Sequence, residues 1–139
     1  MAFVHGKSAA FKLDDSGGTL RDLSTYLDEV SMPRDIETAE TTTFQSSGSA
    51  KTYITGLTDA TISISGKFDA TADGYLAGVL GQAATLSFEY GPSGTTAGMI
   101  KYSGECIMTS YEVSSSVGDA VSASADFQIT GAITRGTWS

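Results

Sequence analysis

The stretch that decides the fold is Val121-Ser122-Ala123-Ser124-Ala125-Asp126-Phe127-Gln128-Ile129-Thr130-Gly131-Ala132-Ile133. Val121, Ala123, Ala125, Phe127, Ile129 and Ile133 share one parity, with Gly131 in the same row. Ser122, Ser124, Asp126, Gln128 and Thr130 hold the other. Successive side chains of an extended chain point to opposite faces, so this alternation predicts a long strand with one dry and one wet face. Upstream, Ser114 to Asp119 supplies a turn around Gly118-Asp119. Before that turn, Tyr102, Cys106 and Met108 share one parity while Ile107, Tyr111 and Val113 hold the other. A phase change near Ile107 and Met108 predicts a bulge, or a strand buried on both faces there. The two segments together read as a long antiparallel hairpin.

The same period recurs further out. Ile62, Ile64 and Phe68 alternate with Thr61, Ser63, Ser65 and Lys67; Leu86, Phe88 and Tyr90 alternate with Thr85, Ser87 and Glu89. Ser8 to Leu13 is a shorter version, with Phe11 and Leu13 inward. Two segments break the pattern. Over Ala72 to Leu80, the residues Tyr75, Leu76, Val79 and Leu80 fall at helical spacing, with Thr71 placed to cap the start and Gly81 to end it. This predicts a short helix laying those four side chains on a sheet. Leu20, Leu23, Leu27 and Val30 fit a helical stripe, but Tyr26, Val30 and Met32 fit a strand, so residues 20–32 stay open between the two; Pro33 ends either. Residues 37–53 read as the longest loop, rich in Thr, Ser and Gly, and residues 91–98 as a second.

The chain has 139 residues, enough for one domain with a real core, and shows no repeat or linker. Its apolar fraction of 40% argues against a disordered chain. The formal charge is −8, and none of the eight Lys and Arg residues adjoins another. Tight binding to duplex DNA or to an anionic membrane surface needs clustered cations and is disfavoured. No run approaches the ~18 apolar residues that a membrane span needs, and no signal peptide or anchor is expected. Cys106 is alone, which excludes an internal disulfide.

Catalytic groups are scarce. His5 is the sole histidine and sits in what reads as a terminal arm, residues 1–7. Cys106 lies in an apolar strand, where an inert core thiol is the ordinary outcome. One His and one Cys cannot build a zinc site. Asp14-Asp15-Ser16-Gly17-Gly18 lacks the alternating acids and closing Glu of a calcium loop. Gly91-Pro92-Ser93-Gly94-Thr95-Thr96-Ala97-Gly98 lacks the Lys and helix of a phosphate loop. No catalytic, cofactor or metal site is expected.

Several stretches, taken in order, carry a family resemblance. They are Phe11 to Asp28, Thr42-Thr43-Phe44, Tyr53-Ile54-Thr55-Gly56-Leu57, Phe88-Glu89-Tyr90-Gly91-Pro92, Tyr102-Ser103-Gly104-Glu105, Phe127-Gln128-Ile129-Thr130-Gly131 and Thr134-Arg135-Gly136-Thr137-Trp138. As a set the chain resembles the major tail (tail tube) proteins of long-tailed, non-contractile bacteriophages. The resemblance implies a mainly β fold of two packed antiparallel sheets, sandwich- or barrel-like, with one short flanking α-helix. It implies a virion protein, made in the host cytoplasm, whose copies form hexameric rings stacked into a tube. Its partners would be other copies of itself, a tape measure protein, and tail tip and tail terminator proteins. Genomic DNA would pass through without specific binding. On that reading residues 37–53 form an inter-subunit loop, with Thr42, Thr43, Phe44 and Gln45 as its contact residues, and their Thr-, Ser- and Gly-rich composition predicts a loop that is flexible in the free subunit. Glu105 and Asp126, on the polar side of strands, are candidates for the wall of the bore. The rival expectation is a β-sandwich binding or decoration module of a phage particle or an adhesin.

Overall fold

The computed structural model describes residues 3–44 and 48–139. The strands are β1 (Ala10–Asp14), β2 (Leu20–Asp22), β3 (Leu27–Ser31), β4 (Arg34–Glu40), β5 (Tyr53–Lys67), β6 (Leu86–Gly91), β7 (Ile100–Ser114) and β8 (Ser122–Thr137). One helix, α1 (Ala70–Ala77), joins β5 to β6, and a single 3-10 turn, Gly6–Ser8, precedes β1. All pairings are antiparallel, in the order β2-β1-β6-β7-β8-β5-β3, with β4 added on β5.

The mainly β, antiparallel, single-helix architecture is the expected one, but its two layers are opposite walls of one continuous sheet. Phe11 on β1 and Phe127 on β8 show the curl. Two strands separate them, which in a flat sheet would hold them about 14 Å apart. Their ring centroids lie 6.4 Å apart. Residues 23–26 then close the gap: the Leu23 amide donates to the Phe11 carbonyl at 3.0 Å, and the Lys67 amide donates to the Tyr26 carbonyl at 2.9 Å. Gly66 permits that approach, because a Cβ there would overlap the Tyr26 carbonyl oxygen. The question left open over residues 20–32 is thus answered as strand. Two short strands flank a crossing, because Leu23 is needed inside the barrel, where it is 1% exposed.

The core is the dry face of each strand: Phe11, Leu13, Ile62, Ile64, Leu86, Phe88, Cys106, Met108, Ala125, Phe127 and Ile129. Helix α1 stacks Ala72 and Leu76 on it, and Val79 follows. The helix is shorter than the spacing predicts. Asp69 caps it, its carboxylate accepting from the Thr71 amide at 2.9 Å, so Asp69 rather than Thr71 is the N-cap. It closes at Gly78, and a further turn runs to Gly81, which has the left-handed φ of 81°. That early closure swings Leu80 out to 49% exposure, and Ala72 occupies the fourth position on the buried face; Tyr75 is half-buried. The Tyr111 hydroxyl donates to Asp73 at 2.6 Å, tying the helix to β7.

The phase change in β7 is a bulge at Thr109: Met108 faces Phe127, and the next paired residue, Ser110, faces Asp126. A second irregularity reshapes the edge of the barrel. Glu105 pairs with Thr130 and Ser103 with Thr134, so residues 131–133 oppose Gly104 alone. Gly131, at φ 86°, supplies the left-handed residue that this excursion needs. There β8 parts from β5, and their pairing ends at Thr61 and Gln128.

Candidate assembly surfaces

Beyond that fork, the first half of β5 leaves the barrel and pairs with β4. Residues 34–40 and 53–60 form a two-stranded arm, from Arg34 opposite Ala60 to Glu40 opposite Tyr53. This corrects the expected loop over residues 37–53: Glu37 to Glu40 belong to β4, with Thr38 to Glu40 paired, and Tyr53 opens β5. The pairing extends past the strands, with the Thr41 amide donating to the Thr52 carbonyl at 2.8 Å and the Thr52 amide to Thr42 Oγ1 at 2.9 Å. Threonines and Ile54 favour extended chain, which the composition-based reading of a loop undervalued.

The root of the arm is fixed. Gln128 Nε2 donates to Asp59 Oδ1 at 2.6 Å and to the Ala60 carbonyl at 3.0 Å, and the Arg34 guanidinium lies 5.9 Å from the Tyr102 ring centroid. An open groove of about 350 Å³ lies in the fork, lined by Ile36, Asp59, Ile129 and Ile133 among others. On its far side, residues 130–137 of β8 pair with β7 alone and leave an unpaired edge among the described strands.

The arm exposes large apolar groups. Phe44 is 100% exposed and Leu57 76%; Ile36, Tyr53 and Ile54 are each about half exposed or more. The neighbouring sequence-predicted residues fall in the same place. Thr42 bonds across to Thr52, Thr43 is held by its own interactions, and Gln45 lies outside the described residues. Of these, the sequence singles out Phe44 as an inter-subunit residue but does not single out Tyr53, Ile54 and Leu57 as exposed apolar groups. Their close spacing at the head of a long strand was the available signal.

The wet face of the barrel holds the other candidates. Asp126 accepts from Ser63 Oγ at 2.8 Å and Ser110 Oγ at 3.0 Å. Glu105 accepts from Thr85 Oγ1 at 2.8 Å and Ser87 Oγ at 2.6 Å. The register makes these pairs, since Ser63 is opposite Asp126 and Ser87 opposite Glu105. Hydroxyls therefore hold both carboxylates in place without neutralising them. Trp138 also lies on this face: it sits over Gly91, where a Cβ would crowd its indole, and Lys12 and Lys101 lie 5.2 and 5.0 Å from its ring.

Neither His5 nor Cys106 forms a chemical site. The His5 ring accepts from the Lys7 amide at 3.1 Å and is exposed. Cys106 is fully buried, and that burial, with Glu105 and Asp14 adding to it, pushes its pKa up to about 12. Such a thiol is neither a nucleophile nor a ligand at neutral pH. No metal-binding cluster occurs among the described residues. Asp15 instead organises the first turn, accepting from the Gly17 and Thr19 amides and from Arg21 Nε. No helix among the described residues is long and apolar enough to cross a membrane.

The described residues thus form a curled antiparallel barrel with a projecting arm that exposes large apolar side chains. The profile of the phage tail tube protein family matches residues 4–135. The chain belongs to that family and is a structural protein of the phage tail. The fold is similar to the tail of an empty gene transfer agent particle, solved with C6 symmetry, at TM-score 0.82 and 21% identity, covering 97% of this chain and 100% of that one. It is similar to the SPP1 tail tube at TM-score 0.73 and 13% identity, covering 97% of this chain and 80% of that one. It is also similar to a chain of an extracellular contractile injection system sheath–tube complex, at TM-score 0.67 and 10% identity, covering 97% and 92%. No curated protein matches the sequence.

Proposed function

We propose that copies of this chain close into hexameric rings, that the rings stack into a tail tube, and that the tube conducts DNA without catalysing any reaction. The observation that carries this reading is the arm. A folded barrel has no internal use for Phe44, Tyr53, Ile54 and Leu57, and side chains of that size gathered on one projection mark a protein interface. The unpaired edge of β8 gives a lateral neighbour main-chain groups to bond, and closing a ring removes such edges. Family membership and the C6 symmetry of the gene transfer agent tail support six copies per ring.

On this reading residues 42–45 lie between subunits, and the wet face, with Glu105 and Asp126, lines the bore. Fixed carboxylates on a chain of net charge −8 repel phosphates and let DNA slide. A tape measure protein fills the tube during assembly, and tail tip and tail terminator proteins bound it. Negative-stain microscopy and light scattering over a concentration series test the proposal. Rings or tubes about 100 Å across, two domain diameters plus a channel, are expected. A strict monomer at millimolar concentration, with no assemblies in the images, overturns it.

A further inference from the structure

Where β5 parts from β8, a side chain takes over from the ladder. The last rung is Thr61 with Gln128, and the next, Ala60 with Ile129, is not made. The Thr61 amide donates to the Pro33 carbonyl at 3.2 Å, so the main-chain groups of Ala60, one residue back, point the other way, towards β8. Ala60 is 8% exposed, and main-chain groups buried to that degree need partners. Its carbonyl accepts from Gln128 Nε2 at 3.0 Å, and its amide donates to Asp59 Oδ1 at 3.0 Å. Asp59 Oδ1 also accepts from Gln128 Nε2 at 2.6 Å, which closes the set. The orientation of the Gln128 amide is forced. Its third neighbour is the Ile129 carbonyl at 3.3 Å, and a flipped amide would set an oxygen against three others.

A main-chain rung at Ala60 would hold β5 flat against β8. A rung carried by a glutamine side chain lets residues 53–60 leave the sheet and still ties their root to it. The tie has a load to bear, because Asp35 stands opposite Asp59 in the β4–β5 ladder, and like charges so placed push apart. Gln128 gives Asp59 a hydrogen bond strengthened by the carboxylate charge. The second brace, Arg34 at 5.9 Å from the Tyr102 ring centroid, acts on β4 and lacks the directionality of a hydrogen bond. Beyond these two contacts the ribbon has no second layer to orient it.

We infer that Gln128 is a positioning residue for assembly: its amide fixes the direction in which the arm leaves the barrel, so that the exposed apolar groups are already oriented when a neighbouring copy meets them. This rests on the tube reading and adds to it the residue that sets the arm. An arm held in one direction before contact loses less freedom on contact, and association gains accordingly.

The experiment places spin labels on the full chain at Thr55→Cys in the arm and Glu112→Cys on β7, both exposed, with Cys106 buried and unlabelled. Double electron–electron resonance on subunits shown to be monomeric by light scattering reads the spread of arm positions. Unlabelled versions, checked for unchanged thermal unfolding, are followed in assembly by microscopy. Gln128→Ala should at least double the width of the distance distribution. Gln128→Glu, which sets a carboxylate against Asp59, should widen it as much or more and slow tube formation at least tenfold. Adding Asp59→Asn to Gln128→Glu gives that carboxylate a donor; it should remove at least half of the added width and restore assembly. Asp59→Asn alone keeps the acceptor and should stay near wild type. A wild-type width in Gln128→Ala, or no recovery in the double variant, overturns the inference and leaves the tube reading standing. A widened arm with unchanged assembly overturns it as well. A wild type that forms neither rings nor tubes overturns the tube reading, and with it the assembly role, while a width that still follows Gln128 leaves that residue as what sets the arm.

Discussion

The two halves of β5 are the most instructive pair of regions in the molecule. Residues 60–66 alternate between buried and half-buried, with Ile62 and Ile64 at 0% and 2% exposure. Residues 53–59 are exposed without exception, though they include Tyr53, Ile54 and Leu57. Both halves are extended and both are hydrogen-bonded to a neighbour. They differ in what lies across from them. The second half meets β3 and β8 and closes a barrel over a core, whereas the first has β4 alone and no second layer. A two-stranded ribbon is marginal by itself, so the arm's stability depends on its fixed root and on what it docks against.

Substitutions in the two halves, and in what braces them, should carry unequal costs. Phe127→Ala removes a ring packed at the centre of the barrel and should cost about 3–5 kcal/mol, seen as a lower urea midpoint. A loss under about 1 kcal/mol would mean that the curled sheet is not the stable unit. Gly66→Ala forces the crossing at Tyr26 away from β5 and should cost about 1–3 kcal/mol, as overpacking does elsewhere. An unchanged midpoint would show that the barrel is not closed at residues 23–26.

A smaller effect comes from the first turn. The Arg21 bond to Asp15, reinforced by the Thr19 and Gly17 amides, lowers the folded-state pKa of Asp15 below its ordinary 3.8. The contribution of this carboxylate is therefore complete above that value and fades as pH falls through the folded one. Asp15→Asn should lie below wild type in urea midpoint at pH 6, and the gap should close as pH falls towards 2. A gap that stays constant with pH would show that the ion pair adds nothing to stability.

The smallest effect on the monomer, and the sharpest contrast, belongs to the arm. Leu57→Ser should leave the urea midpoint within about 0.5 kcal/mol of wild type, as exposed substitutions do. The same variant should fail to form tubes by microscopy. A variant that loses stability but still assembles would reverse the roles given to the two halves of β5.

How much of the fold was legible in the sequence depends on the range of each signal. Alternation is local, and it marked β8, the barrel half of β5 and β6, with Phe127, Ile64 and Phe88 as core; in β7 it showed a phase change but left a bulge and two-sided burial as alternatives. It could not rank Leu80 against Ala72, because that depends on where the helix stops, and an Asp69 carboxylate and Gly78 decided it. It read residues 37–53, which include part of the arm, as a loop, because Thr-rich ribbon lacks the apolar row that burial imposes. The carboxylates at Glu105 and Asp126 were visible as wet-face residues, but the hydroxyls that hold them come from other strands.

By itself, then, the order of residues determined which segments of the barrel are extended, which face of each is dry, and the family. Tertiary structure decided that the strands form one curled sheet, that residues 23–26 close it, and that β5 leaves the barrel at Gln128. Those outcomes turn on which strand lies beside which. Hydrogen bonds and packing set that between residues far apart in the chain, where a period of two carries no information.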